Sequence, residues 1–158
     1  MSGRTVVIGV GNPLRGDDAA GVAVAERLRD SLPPHVEVVS CAEEPTRLMD
    51  AWGGAERVVI VDTVASGAPP GTLHRFEAGD APVPARTFHS STHAIGIAET
   101  IELARALGRL PRRVLVYGIE GGGFATGAGL SPAVEAAVAA AADAVLVDLE
   151  EERCTSEP

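Results

Sequence analysis

Aromatic residues make up only 3% of the 158-residue chain, with a single Trp and a single Tyr, so its core must be built from Val, Ile, Leu and Ala. Cysteine is almost absent. Cys41 and Cys154 stand far apart in sequence and neither belongs to a C-x-x-C pair, which argues against a disulfide framework and fits a reducing, cytoplasmic setting. Basic residues are scarce, 13 Lys and Arg against 22 Asp and Glu, for a net charge of -9. Nucleic acid and anionic membrane surfaces require clustered cations, so neither is an expected partner. No apolar run reaches the roughly 20 residues that span a bilayer. The first residues, Met1 to Arg4, lead directly into an apolar run and leave no room for a signal peptide.

Apolar residues amount to 46% of the chain, enough for one substantial core at a single-domain length. Residues 1–149 read as a single α/β domain, with 150–158 as a frayed acidic tail. Short β-rich apolar runs at Thr5–Val10, Val36–Val39, Val58–Val61 and Val114–Tyr117 read as strands. The alternating run Thr72–Phe76 reads as a strand of opposite direction. Helical spacing marks Ala19–Leu32, Glu44–Trp52, Thr92–Leu107 with a Gly108 C-cap, and a last helix from Ser131-Pro132. Its stripe is Val134, Val138, Ala141, Val145 and Leu149. Alternation of strands and helices predicts a three-layer α/β/α sandwich on a mostly parallel five-stranded sheet with one antiparallel strand. Sites in such sheets lie beyond the carboxyl ends of the strands.

The loop after the first strand, Gly9-Val10-Gly11-Asn12-Pro13-Leu14-Arg15-Gly16-Asp17-Asp18, occupies the place of a phosphate cradle. Gly11 and Gly16 have P-loop spacing, but Asp17 and Asp18 follow where Lys and Ser or Thr would be needed, and carboxylates repel phosphate. Leu14 takes the place of the third glycine of a dinucleotide fingerprint, and Asp62 lies much further along the chain than the acid that holds ribose in such a fold. The loop presents acid and suits a cation, a water or a peptide. Asp17 reads as the better helix cap and Asp18 as the better functional carboxylate. Asp62, at the end of the third strand, falls on the same sheet edge. His93, following Ser90-Ser91-Thr92, opens a helix whose N-terminus favours the neutral imidazole that a metal ligand needs. His35, His74 and His89 lack such a context and read as surface residues, His89 being a secondary candidate. Two carboxylates and an imidazole form a mixed O/N set suited to a divalent transition metal.

The opening run, with Ala20-Gly21-Val22 after it, closely resembles the first motif of the hydrogenase maturation proteases. Val61-Asp62-Thr63, Ser91-Thr92-His93-Ala94-Ile95-Gly96, Gly118-Ile119-Glu120 and Gly129-Leu130-Ser131-Pro132 resemble further motifs of the family, in the same order. The resemblance covers about residues 5–149. It implies an endopeptidase that removes the C-terminal extension of a [NiFe]-hydrogenase large-subunit precursor once nickel is inserted. It maps a metal-contacting and catalytic triad onto Asp18, Asp62 and His93, with Asp18 often Glu in relatives. The nickel is carried by the substrate rather than held permanently. A monomer and a cytoplasmic location are expected.

The chain departs from the family where relatives carry an Asp-Gly-Gly-Thr-like segment. Here Ser40-Cys41-Ala42-Glu43-Glu44-Pro45-Thr46 brings Cys41 and Glu43 to the edge of the site. Cys41 has no histidine tied to it and reads as a small buried residue, not a nucleophile. Glu120 and the loop from Gly121 to Gly129 are candidates to line the substrate groove. The competing classes are a non-enzymatic nickel-binding or maturation chaperone and a nucleotide-binding module; cleavage of the precursor and nucleotide binding separate them.

Overall fold

The computed structural model describes residues 3–78 and 96–156. Five strands form one sheet in the order β2-β1-β3-β5-β4: β1 Thr5–Val10, β2 Val36–Cys41, β3 Arg57–Val64, β4 Leu73–Glu77 and β5 Arg113–Glu120. β1, β2, β3 and β5 run parallel, and β4 pairs antiparallel with β5 at one edge, as expected. The helices are α1 Ala20–Arg29, α2 Pro45–Ala51, α3 Ile97–Ala106 and α4 Pro132–Ser156. A 3-10 turn, Gly16–Ala19, leads into α1.

Alternation along the buried strands sends side chains to two cores. Val6, Ile8, Val58, Ile60, Val114 and Val116 pack on α2 and α3 with Trp52, Ile97 and Ile101. Val7, Val59, Val61, Leu115 and Tyr117 face α1 and α4, where Val24, Leu28, Val138 and Val145 close the layer. The result is the three-layer α/β/α sandwich that the sequence implies.

Several element bounds differ from the sequence reading, each for a local reason. In α1, Val24 enters the core, whereas Val22, on which the expected stripe began, is only half-buried. The expected stripe of α4 is buried throughout, and the helix runs past residue 149 to Ser156. α3 starts at Ile97, not Thr92, because Gly96 is extended (φ −90°, ψ −172°) and cannot continue a helix. Ser90, Ser91 and Thr92, expected to supply the cap, lie outside the described residues. The Gly96 amide donates to Glu99 Oε2 at 3.1 Å, and the Ile97 amide donates to the Glu43 carboxylate. At the other end the Gly108 amide bonds Arg105 O at 3.3 Å and the Arg109 amide bonds Ala104 O at 2.9 Å. This is a Schellman closure, and it leaves Leu107, expected on the buried stripe, 57% exposed.

Two glycines bring α1 against the sheet. A Cβ on Gly21 would stand 2.3 Å from Val61 O and 2.5 Å from Val10 O. One on Gly9 would meet Gly21 O at 2.4 Å. The helix therefore rests on the backbones of β1 and β3, which holds the turn before it at the carboxyl edge of the sheet.

Candidate active site

The chain leaves β1 toward β2 on one side and later enters β3 on the other, so the topological switch point lies between β1 and β3. The last β1–β3 pair is Gly9 with Val61. Asp62 is the next residue, level with Val10 at the carboxyl end of β1, where the opening loop begins. Both expected carboxylates thus stand at the same edge. Asp62 is 3% exposed, and its Oδ1 accepts the Thr63 amide at 2.8 Å. Burial first, then the charge of Glu43 and to a lesser extent that of Asp18, raise the Asp62 carboxyl well above its ordinary value; only the Thr63 amide opposes them.

The opening loop is fixed by its own backbone. Gly11 has φ +144°, and a Cβ there would lie 2.1 Å from Asp18 O, so only glycine allows the loop to fold back on Asp18. The Gly11 amide donates to Cys41 O at 3.2 Å. The Asn12 amide donates to Asp18 Oδ2 at 3.0 Å, and the Leu14 amide to Asn12 Oδ1 at 2.9 Å. Asp18 lines a cavity of about 460 Å³ together with Asn12, Arg15, Val22, Cys41 and Glu43.

Asp17 is not the helix cap that its position suggests: no side-chain cap bond is made at this turn. Its fully buried carboxylate instead holds the glycine-rich loop after β5. Oδ2 accepts the amides of Gly122 at 2.8 Å and Gly123 at 2.9 Å and the Ser131 hydroxyl at 2.9 Å. Oδ1 accepts the Ser131 amide at 2.7 Å. The backbones add to this clamp: the Asp17 amide donates to Gly123 O at 2.7 Å, and the Gly127 amide to Leu14 O at 2.9 Å. Burial pushes the Asp17 carboxyl up, but the donors from Ser131, Gly122 and Gly123 together outweigh it and hold the carboxyl below its ordinary value.

Glu43 is the site residue whose weight the sequence did not show. It joins Asp18 and Asp62, and its Oε1 is shut from solvent with no hydrogen-bond partner. Burial, followed by the charges of Asp18 and Glu99, pushes its carboxyl up to about 7 against the pull of the Ile97 amide. Cys41 reaches the same cavity, and burial raises its thiol to about 11. It is therefore protonated at neutral pH and unsuited to attack, as expected.

Glu120 does not line a groove. It is 1% exposed. The Ser66 amide donates to its Oε2 at 2.8 Å, while the Ser66 hydroxyl and His74 Nε2 meet its Oε1. It anchors the β3–β4 connection, and His74, expected on the surface, is half-buried against it. His35 is exposed as expected. His93 and His89 lie outside the described residues. Among the described residues no three His, Cys, Asp or Glu side chains stand in metal-holding geometry, and no helix is long and apolar enough to cross a membrane.

The fold is a doubly wound α/β domain, with the buried Asp62 and the half-buried Asp18 and Glu43 at the carboxyl edge of its sheet, beside the switch point. A family model described as hydrogenase maturation protease matches residues 22–148. The hydrogenase 2 maturation protease of Escherichia coli (strain K12) is 32% identical over 94% of this chain and 92% of its own length. The solved hydrogenase maturating endopeptidase HybD from E. coli superposes with a TM-score of 0.81 at 30% identity, covering 94% of this chain and 93% of that one. A hydrogenase 2 maturation peptidase from Thaumarchaeota archaeon SCGC_AB-539-E09 gives a TM-score of 0.69 at 32% identity, covering 92% and 97%. The chain belongs to the hydrogenase maturation protease family, whose members are peptide-bond hydrolases.

Proposed function

We propose that this endopeptidase removes the C-terminal extension of a [NiFe]-hydrogenase large-subunit precursor after nickel insertion, and that Asp18, Asp62 and His93 contact the nickel that the substrate carries. The observation that supports this most is Asp62. A carboxyl sealed from water beside Glu43 and Asp18 resists ionisation as long as it stands alone. A divalent cation entering the edge reverses that balance, because it stabilises the carboxylate and displaces the proton. Only a precursor already holding nickel offers that stabilisation, so the site distinguishes loaded from unloaded substrate. Within this reading the triad orients the nickel-bearing region, and a carboxylate at the edge takes a proton from the attacking water. The acidic chain works without nucleic acid or membrane, as a cytoplasmic monomer.

The test compares cleavage of nickel-loaded and nickel-free precursor by the metal-stripped protein, with Asp18→Ala, Asp62→Asn and His93→Ala alongside. Cleavage of the loaded precursor alone, lost in each variant, is the expected result. Equal cleavage of both precursors overturns the nickel reading. Should Asp62→Asn cleave without regard to nickel, the triad serves recognition only. Calorimetric titration with nickel, weakened by each change, measures convergence of the three side chains without the precursor.

A further inference from the structure

The turn Pro13-Leu14-Arg15 at the rim of the cavity has features that the nickel reading does not use. Leu14 is 70% exposed, the most exposed large apolar side chain among the described residues. A lone exposed leucine needs no explanation by its exposure alone; what sets this one apart is that it stands on a fixed backbone beside Arg15. The Leu14 amide is held by Asn12 Oδ1 and its carbonyl by the Gly127 amide; the Arg15 amide donates to Asn12 O, and the Arg15 carbonyl accepts the Asp18 amide. A side chain displayed on such a frame loses little conformational freedom on binding, as an interface anchor requires.

Arg15 follows directly and lines the cavity beside Asp18 and Glu43. Among the described residues its guanidinium makes no hydrogen bond and no ion pair. The amides of Ile97 and Thr63, not a guanidinium, oppose the upward push on Glu43 and Asp62. Arg47, the other cation of the cavity wall, is already paired with Glu44 at 2.9 Å. Arg15 is therefore a half-buried fork without a partner among the described residues, and a carboxylate is the group that takes both of its donors.

We infer that Leu14 and Arg15 form the docking point for the precursor: Leu14 enters an apolar pocket on the precursor surface, and Arg15 binds a carboxylate of the extension occupying the cavity. The inference rests on the reading that the substrate is the large-subunit precursor. Both residues act on recognition and neither touches the reacting atoms.

The experiment measures the Kd of the nickel-loaded precursor by biolayer interferometry, and KM and kcat by cleavage, for the wild type, Leu14→Ala, Arg15→Ala and Arg15→Lys. Leu103→Ala, on the outer face of α3, is the control. Kd and KM are expected to rise about tenfold or more in Leu14→Ala and Arg15→Ala, with kcat within about twofold. Arg15→Lys recovers part of the loss, because it keeps the charge without the fork. Repeating the Arg15→Ala measurement on precursors with the acidic side chains of the extension amidated, or with its C-terminus amidated, shows which carboxylate is bound. The effect of Arg15→Ala vanishes only where that carboxylate has been removed. If either alanine variant leaves Kd and KM within twofold of the wild type, the docking point is refuted, as it is if the wild type does not bind the precursor. Binding without cleavage by the wild type overturns the proposed function, and the Kd values still decide the docking point.

Discussion

Replacing Asp17 by Asn changes one atom in the described fold and should cost it more than most core substitutions. Four donors converge on this carboxylate. An amide oxygen in the place of Oδ2 keeps the amides of Gly122 and Gly123 and the Ser131 hydroxyl. The amide nitrogen then faces the Ser131 N–H, donor against donor. One bond to a charged group is lost, at about 1.5–3 kcal/mol, and the stranded buried N–H adds about 1–3 kcal/mol. A total of about 2.5–6 kcal/mol lowers the melting temperature of a domain this size by about 5–24 °C. Differential scanning calorimetry at pH 7 measures it. The pH dependence is the sharper check. Because the folded Asp17 carboxyl lies below its ordinary value, its contribution is complete above the unfolded carboxyl, near pH 4, and fades as the pH falls through the folded value. The gap between wild type and Asp17→Asn must therefore close on acidification below pH 4. A gap under about 1 kcal/mol at pH 7 would show that the clamp is energetically idle. A gap that stays constant or widens on acidification would refute the assignment to the charged form.

Glu43 has the opposite sign. Its folded carboxyl is raised to about 7, so the folded state holds a proton that the unfolded chain gives up, and stability falls as pH rises from the ordinary glutamate value toward 7. Glu43→Gln is expected to melt higher than the wild type at pH 8, with the difference shrinking at pH 5; thermal scans at the two pH values check the order. Gly21→Ala drives a methyl into the carbonyls of Val61 and Val10, and is expected to lose about 1–3 kcal/mol in denaturant titrations. It should also impair cleavage, because the turn that carries Asp18 leads directly into α1. Glu120→Gln weakens a buried anchor and is expected to cost about 2 kcal/mol of stability, while precursor cleavage stays within twofold at temperatures where the variant is folded. A larger activity loss would return Glu120 to the substrate groove.

The strands and helices were legible because their signals are local. A continuous Val-Val-Ile-Val run is buried on both faces wherever it falls, and a stripe at helical spacing remains a stripe in any sandwich. The shared edge of Asp18 and Asp62 followed from chain order plus the rule that parallel strands point their carboxyl ends one way. The errors came where one short signal had two uses. Ser90-Ser91-Thr92 look like a cap and lie outside the described residues; what the sequence did not show is that amides at the start of α3 are taken by Glu99, a turn along the same helix, and by Glu43 from the loop after β2. An acid before α1 looks like a cap for the same reason, yet the partners of Asp17 lie 105 to 114 residues away.

That distance accounts for the pair of adjacent aspartates. Each has an acidic side chain at one turn, but their surroundings drive them apart. Asp17 is enclosed by donors and is fixed as a charge. Asp18 turns to the cavity and adds its charge to the strain on Asp62 and Glu43. A loop that presents one carboxylate at the edge is held by the other against the glycine-rich segment, since a backbone free to retreat would let the carboxylates separate and relieve their repulsion. The clamp at Asp17 thus maintains the part of the crowding at Asp62 that Asp18 supplies, which is smaller than the parts from burial and Glu43. Releasing it should relax the Asp62 carboxyl toward its ordinary value, and the same Asp17→Asn variant tests that through the pH at which nickel binding to the edge begins. Binding that begins at lower pH in the variant supports the coupling; an unchanged onset shows that the two aspartates act independently.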